Sequence, residues 1–189
     1  MIGIIETKFC NRNAYRNVFN YLNLRYEFIS EPKSVPKTID RFLIPGVSSF
    51  EGIASSLKSS GLDDFLKQKH AYGNLIVGTC AGMQIFFKTS EESPKDEGLD
   101  LIKGSVKKFE TTDGINLNVG WKSTESGEFY FAHSYYCSIA EGVDDIEYST
   151  FKGQKFTASF RKNNLVGMQF HPEKSGEMGL NMIKRFITS

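Results

Sequence analysis

The sequence predicts an α/β fold: a doubly wound, mostly parallel central sheet with helices on both faces and antiparallel strands added late in the chain. Two patterns predict it. Through the first half, short apolar runs alternate with amphipathic stretches of helical period, as strand–helix crossovers require. After residue 103 the pattern shortens to strand-length runs separated by Gly, Asp, Asn and Lys. The length of 189 residues suits one domain over 1–189 with a sizeable core.

The elements follow in order. Residues 2–6 read as the first strand. Residues 13–23 read as a helix, because Tyr15, Val18, Phe19 and Leu22 fall on one face. Residues 26–29 and 41–44 are further strands. Helices are expected over 51–57 and 63–70, then a strand over 75–77 and a helix from 82 to about 89. Residues 90–95 are polar and read as a surface loop. Strands are expected over 106–109, 115–119, 129–132, 135–139, 146–150 and 156–160. A last strand over 165–170 rejoins the main sheet, and a helix over 179–187 closes the chain. Sheets of this kind bind ligands at the carboxyl ends of their strands.

Composition narrows the function. A net charge of +1 gives no reason to expect nucleic acid or a membrane surface as partner. No apolar run approaches the length of a membrane span. The opening MIGIIE turns acidic too soon for a signal peptide. Three cysteines, Cys10, Cys80 and Cys137, argue against a disulfide framework and for a reducing, cytoplasmic setting. No Cys-x-x-Cys pair or His cluster suggests a metal site.

The chemistry concentrates in two segments. Residues 75–84 read LIVGTCAGMQ, an apolar run followed by Gly-x-Cys-x-Gly. That is the form of a nucleophile elbow, a tight strand-to-helix turn that lifts one side chain above a sheet. Glycines flank it because the bend brings backbones too close for a Cβ. A cysteine at the start of a helix is placed where a thiolate is favoured, so Cys80 is the candidate nucleophile. Much further on, residues 166–174 read VGMQFHPEK. Pro172 biases this segment towards extended backbone, where residues two apart share a side. His171 and Glu173 can then face Cys80 together, as base and orienting carboxylate.

GTCAGMQ and HPEKS together resemble the class I (triad) glutamine amidotransferases. Within that class the chain is most similar to glutaminase subunits of imidazole glycerol phosphate synthase. The likeness runs nearly end to end, through Pro45-Gly-Val-Ser-Ser-Phe50, Gly120-Trp121 and Phe129-Tyr-Phe-Ala-His-Ser-Tyr-Tyr136. It implies the flavodoxin-like fold of that class. It implies hydrolysis of L-glutamine to glutamate and ammonia by Cys80, His171 and Glu173. Backbone N–H groups of Val47 and Ala81 would form the oxyanion hole. Gly46, Gln84, Ser134 and Tyr135 would hold the substrate. Trp121 and Lys174 would face a partner, a TIM-barrel cyclase that receives the ammonia. No cofactor is implied.

The sequence departs from the family in four places, one of them Ala81 in the nucleophile loop, where leucine is commoner. Residues 6–13 lack the usual Asp and glycine-containing turn, no Pro-His precedes Gly120-Trp121, and Ser48 stands where glycine is usual. Those changes spare the triad and point to a second possibility, a paralogue feeding a sugar amidotransferase in surface-polysaccharide synthesis. A stand-alone Cys-His-Glu peptidase or γ-glutamyl hydrolase, and a non-catalytic binding subunit, also remain open. Pro45–Ser48 read alone is a turn, and Trp121 a core residue. His133 reads as a hydrogen-bonded structural histidine, His70 as a solvated helix-end residue, and Cys10 and Cys137 as structural.

Overall fold

A computed structural model describes residues 1–8 and 10–188. Phe9, inside the divergent 6–13 segment, and Ser189, at the end of the 1–189 unit, lie outside the described residues. The elements run β1 (Ile2–Ile5), α1 (Arg12–Tyr21), β2 (Tyr26–Ile29), β3 (Arg41–Ile44), α2 (Phe50–Ser60), α3 (Leu62–Ala71), β4 (Leu75–Thr79) and α4 (Ala81–Gln84). Then come β5 (Gly104–Lys108), β6 (Asn118–Thr124), β7 (Gly127–His133), β8 (Tyr135–Ile139), β9 (Asp145–Phe151), β10 (Gln154–Lys162), β11 (Leu165–Met168) and α5 (Gly176–Thr188).

Seven strands form one sheet in the order β2-β1-β3-β4-β11-β10-β9. The first five in that order run parallel, and β10 and β9 add antiparallel strands at one side. Successive side chains of a strand point to opposite faces, and the core divides accordingly. Phe42, Ile44 and Ile76 pack with Ile53 and Leu57 of α2 and Leu62 and Leu66 of α3. Leu43, Val77, Val166 and Met168 pack on the other face with Tyr15 and Phe19 of α1 and Ile183 and Phe186 of α5. Both faces are covered, which is why the parallel strands read as nearly unbroken apolar runs. Among the described residues no helix is long and apolar enough to cross a membrane.

Three expectations are corrected. The helix after Cys80 is a single turn, not an eight-residue helix. Ile85, Phe86 and Phe87 are all fully buried, and the chain tightens there into bonds from Phe86 N to Met83 O and Phe87 N to Gln84 O. The carbonyls of Ile85, Phe86 and Lys88 accept from the returning segment, at Leu99, Leu101 and Gly98 N–H respectively. They are therefore taken by another part of the chain. Residues 115–117 are not strand: Ile115 and Leu117 are exposed, and pairing with β7 begins at Asn118. Finally, β5 pairs with β8 and β6 with β7 as two separate ribbons, outside the main sheet.

Candidate active site

Cys80 sits where β4 meets α4. Its backbone has φ 51° and ψ −118°, a conformation that a side chain normally avoids. Such strain costs on the order of 1–3 kcal/mol and persists only where the surroundings over-determine it. They do so here. The Cys80 N–H donates to Met168 O across the β4–β11 pair at 2.7 Å, and the Cys80 carbonyl accepts from Met83 and Gln84 N–H. A Cβ on Gly82 would lie 1.9 Å from Ile44 O, and one on Gly78 would lie 2.2 Å from Gly82 O. The glycines are there because backbone meets backbone.

The register Met168↔Thr79 makes β4 and β11 end side by side. Cys80 and His171 therefore leave the sheet at the same edge. His171 N–H donates to Tyr130 O, and Ser175 Oγ donates to His171 O while accepting from Tyr130 N–H. The imidazole Nδ1 meets Glu173 Oε1 at 2.9 Å. Extended backbone does not produce that contact, contrary to the sequence argument. Pro172–Lys174 is a 3₁₀ turn, and the turn folds the Glu173 side chain back onto the ring. The Glu173 side chain is fully buried, with its second oxygen 3.2 Å from the Tyr15 hydroxyl.

Electrostatics favour a protonated imidazole. Burial works against the charge on His171, but hydrogen bonds donated to Cys80 and Glu173 and the charges of those groups outweigh it and raise its pKa from 6.5 to about 10. Since Nδ1 is on Glu173, Nε2 is the nitrogen left to face Cys80. His133 behaves oppositely. Burial lowers it to about 4, its Nδ1 contacts Tyr135 O at 2.8 Å, and Asn118 Nδ2 lies 3.0 Å from its Nε2. It is a neutral, hydrogen-bonded histidine, as the sequence suggested. His70 is half-buried rather than solvated, and burial lowers its pKa. Burial raises Cys10 to about 11 and pushes Cys137 well above the usual thiol value, so both favour the thiol.

Cys80 opens into a cavity of about 220 Å³ that Ser48, Ala81, Gln84, Glu92, Ser134 and Tyr135 help to line. Gln84 is held by its Nε2, which donates to Tyr135 O and Gln169 Oε1. The carbonyls of Ser134 and Tyr135 already accept from Phe109 N–H, His133 Nδ1–H and Gln84 Nε2. What these residues can still turn to a ligand is N–H and hydroxyl. Among the described residues the N–H groups of Val47 and Ala81 meet no protein acceptor. Gly46 packs against the elbow, where its Cβ would lie 2.4 Å from Ala81 N. Trp121, 53% exposed, packs edge-on to Tyr130, and Lys174 Nζ lies 5.9 Å from the same ring, so these two form one surface cluster.

Sequence reasoning missed Glu92. It lay in a polar stretch read as surface loop, yet it lines the cavity and accepts from Phe50 N–H, at the start of α2, at 2.8 Å. A carboxylate soon after the elbow was the available signal. The arrangement as a whole brings the Cys80 thiol, which contacts Ala132 O at 3.8 Å, to the same sheet edge as an imidazole hydrogen-bonded to a carboxylate, beside a small cavity. That set can attack an acyl carbon and move one proton. Among the described residues no group of three or more His, Cys, Asp or Glu is placed to hold a metal ion.

Comparison with known proteins agrees in kind. Residues 12–122 match the CobB/CobQ-like glutamine amidotransferase domain. The imidazole glycerol phosphate synthase subunit HisH of Chlorobaculum tepidum is 32% identical, with 98% of each chain covered. HisH of Leptospira interrogans is 33% identical over 100% of both chains. A crystal structure of a glutamine amidotransferase has TM-score 0.75 at 14% identity, covering 99% of this chain and 97% of that one. The structure of PurLQS from Thermotoga maritima has TM-score 0.75 at 15% identity, with the same coverage. At those identities the two structures bear on the fold alone.

Proposed function

The chain belongs to the class I glutamine amidotransferases, and on that premise we propose that it is the glutaminase subunit of an imidazole glycerol phosphate synthase, acting in histidine biosynthesis. The residues 1–189 form one glutaminase domain. The observation that carries the reading is a strained Cys80 that opens into a small cavity and leaves the sheet at the same edge as a Glu173-bound His171.

Cys80 Sγ attacks the side-chain amide carbon of L-glutamine. The raised pKa of His171 supports a proton already resting on the imidazole, ready for the leaving nitrogen. Glu173 keeps the ring in its tautomer and orientation. The free N–H groups of Val47 and Ala81 receive the oxyanion. Ammonia departs, and water activated by His171 releases glutamate from the thioester. Gln84, the Ser134 and Tyr135 N–H groups and Gly46 hold the amino-acid end, and Glu92 supplies the negative charge its ammonium group needs. A cavity of about 220 Å³ lined by Gln84 and Glu92 suits a single amino acid better than a peptide. The ammonia passes to a TIM-barrel cyclase docked on the Trp121–Lys174 face, and the pair works in the cytoplasm.

The test is active-site titration with a glutamine-mimicking electrophile, alongside glutamate release with and without a cyclase subunit. Labelling confined to Cys80 and release stimulated by the cyclase are expected. An unlabelled Cys80 would sink the glutaminase reading. Release that is no faster with the cyclase would sink the pathway assignment.

A further inference from the structure

The triad as described leaves one oxygen of Glu173 unexplained. Oε1 is on His171 Nδ1, while Oε2 is buried and lies 3.2 Å from the hydroxyl of Tyr15, on α1. That hydroxyl is 2.7 Å from Thr79 Oγ1. Thr79 is the last residue of β4 and directly precedes Cys80. Tyr15 and Thr79 are both fully buried, so water cannot replace either partner.

We propose that Tyr15 is a positioning residue of the glutaminase, its phenol fixing Glu173 from behind and tying that carboxylate to the strand that carries Cys80. The proposal rests on the triad reading above. A phenol has one proton to give. The carboxylate can only accept it, so Tyr15 donates to Glu173 Oε2 and takes its second bond from the Thr79 hydroxyl. Burial, and then the charge of Glu173, push the Tyr15 pKa well above its usual 10, which keeps the proton on the phenol. With both oxygens engaged, Glu173 cannot rotate away from the imidazole. Helix α1 thereby joins β4 and the 3₁₀ turn after His171 in one hydrogen-bonded unit: Thr79 to Tyr15 to Glu173 to His171. Without the hydroxyl, Oε2 is a buried oxygen lacking a donor, and the carboxylate is free to turn.

The experiment is Tyr15→Phe in the full chain, which keeps the ring in the core and removes one oxygen. We expect kcat for glutamine hydrolysis to fall about tenfold, about 1.4 kcal/mol in barrier, with KM within about twofold of wild type. The proton NMR resonance of His171 Nδ1–H should move. In a Glu173→Gln background the same change should alter kcat by less than about twofold, since Tyr15 acts only through Glu173. Thr79→Val, which leaves the phenol unanchored, should lower kcat in the same direction by a smaller factor, and it serves if Tyr15→Phe does not fold. An unchanged kcat and an unmoved Nδ1–H resonance would overturn the proposal. So would a tenfold loss that persists undiminished beside Glu173→Gln, which would mark a general packing defect. The NMR arm needs no turnover. If the wild type releases no glutamate, the glutaminase reading has failed while the Tyr15–Glu173–His171 coupling is still judged.

Discussion

Replacing Gly46 by alanine adds one methyl group at a place with no room for it. The new Cβ would lie 2.2 Å from Gly82 N, 2.4 Å from Ala81 N and 2.4 Å from Thr79 O. All three are backbone atoms, so no side chain can swing aside. Ordinary contact begins at 3.4 Å, and the elbow and the segment after β3 must therefore separate by about 1 Å. Overpacking of this kind costs typically about 1–3 kcal/mol of stability. The catalytic cost should be larger. The atoms displaced carry the proposed Ala81 donor, and a donor must stand about 2.7–3.1 Å from the oxyanion to work. Losing one such donor lowers kcat by roughly 10²–10³. We expect Gly46→Ala to fold with a lowered melting temperature, to keep Cys80 reactive, and to lose at least about a hundredfold in kcat. Thermal melting, Cys80 labelling and glutamate release measure the three. A folded Gly46→Ala protein with near wild-type kcat would show that the Ala81 N–H is not a donor.

Three further outcomes follow from the same geometry. Cys80→Ser should abolish glutamate release while leaving the melting temperature within a few degrees of wild type, because the side chain is nearly isosteric and only the nucleophile is lost; release at the wild-type rate refutes the covalent step. His171 has a folded pKa raised from 6.5 to about 10, so its stabilising contribution is full below about pH 6.5 and is lost as pH rises through about 10; thermal melts should show wild type losing its advantage over Glu173→Gln across that window, and a constant difference contradicts the coupling. Glu92→Gln should raise KM for glutamine about tenfold or more with a smaller change in kcat, since a charge-assisted bond is worth about 1.5–3 kcal/mol; an unchanged KM removes Glu92 from the substrate site.

Much of the fold was legible because buried parallel strands have few ways to look. Tyr26–Ile29 and Arg41–Ile44 lie where their short apolar runs fall between polar stretches. The expected eight-residue helix after Cys80 failed for a physical reason. Met83 and residues 85–87 are all buried, so the run shows no solvent side from which a period can be read. The strand expected over 115–119 failed the opposite way. Apolar residues alternate at Ile115, Leu117 and Val119, but these side chains face solvent and the first two have no partner strand. In the site, local motifs exposed Cys80, His171 and Glu173. Tyr15 meets Glu173 far along the chain, and nothing in its own neighbourhood announces that contact, whereas Glu92 had only its nearness to the elbow as a signal. The His171–Glu173 contact was anticipated, though from extended backbone rather than the 3₁₀ turn that makes it.

Strand β11 lies between β4 and β10, and it is the last strand in the chain. A polypeptide emerges from the ribosome N-terminal end first, so β4 is made well before β11. Until Leu165–Met168 are made, β4 has no neighbour on that side, and its N–H and C=O groups form an open sheet edge beside Cys80. When β11 inserts, it closes that edge and delivers His171 and Glu173 in the same movement. The order of synthesis thus acts as a safeguard. A nascent or prematurely ended chain holds the cysteine without its base, and cannot spend glutamine. The same geometry sets a hazard, because a chain that stops before β11 leaves the apolar strand β4 exposed to pairing with another molecule.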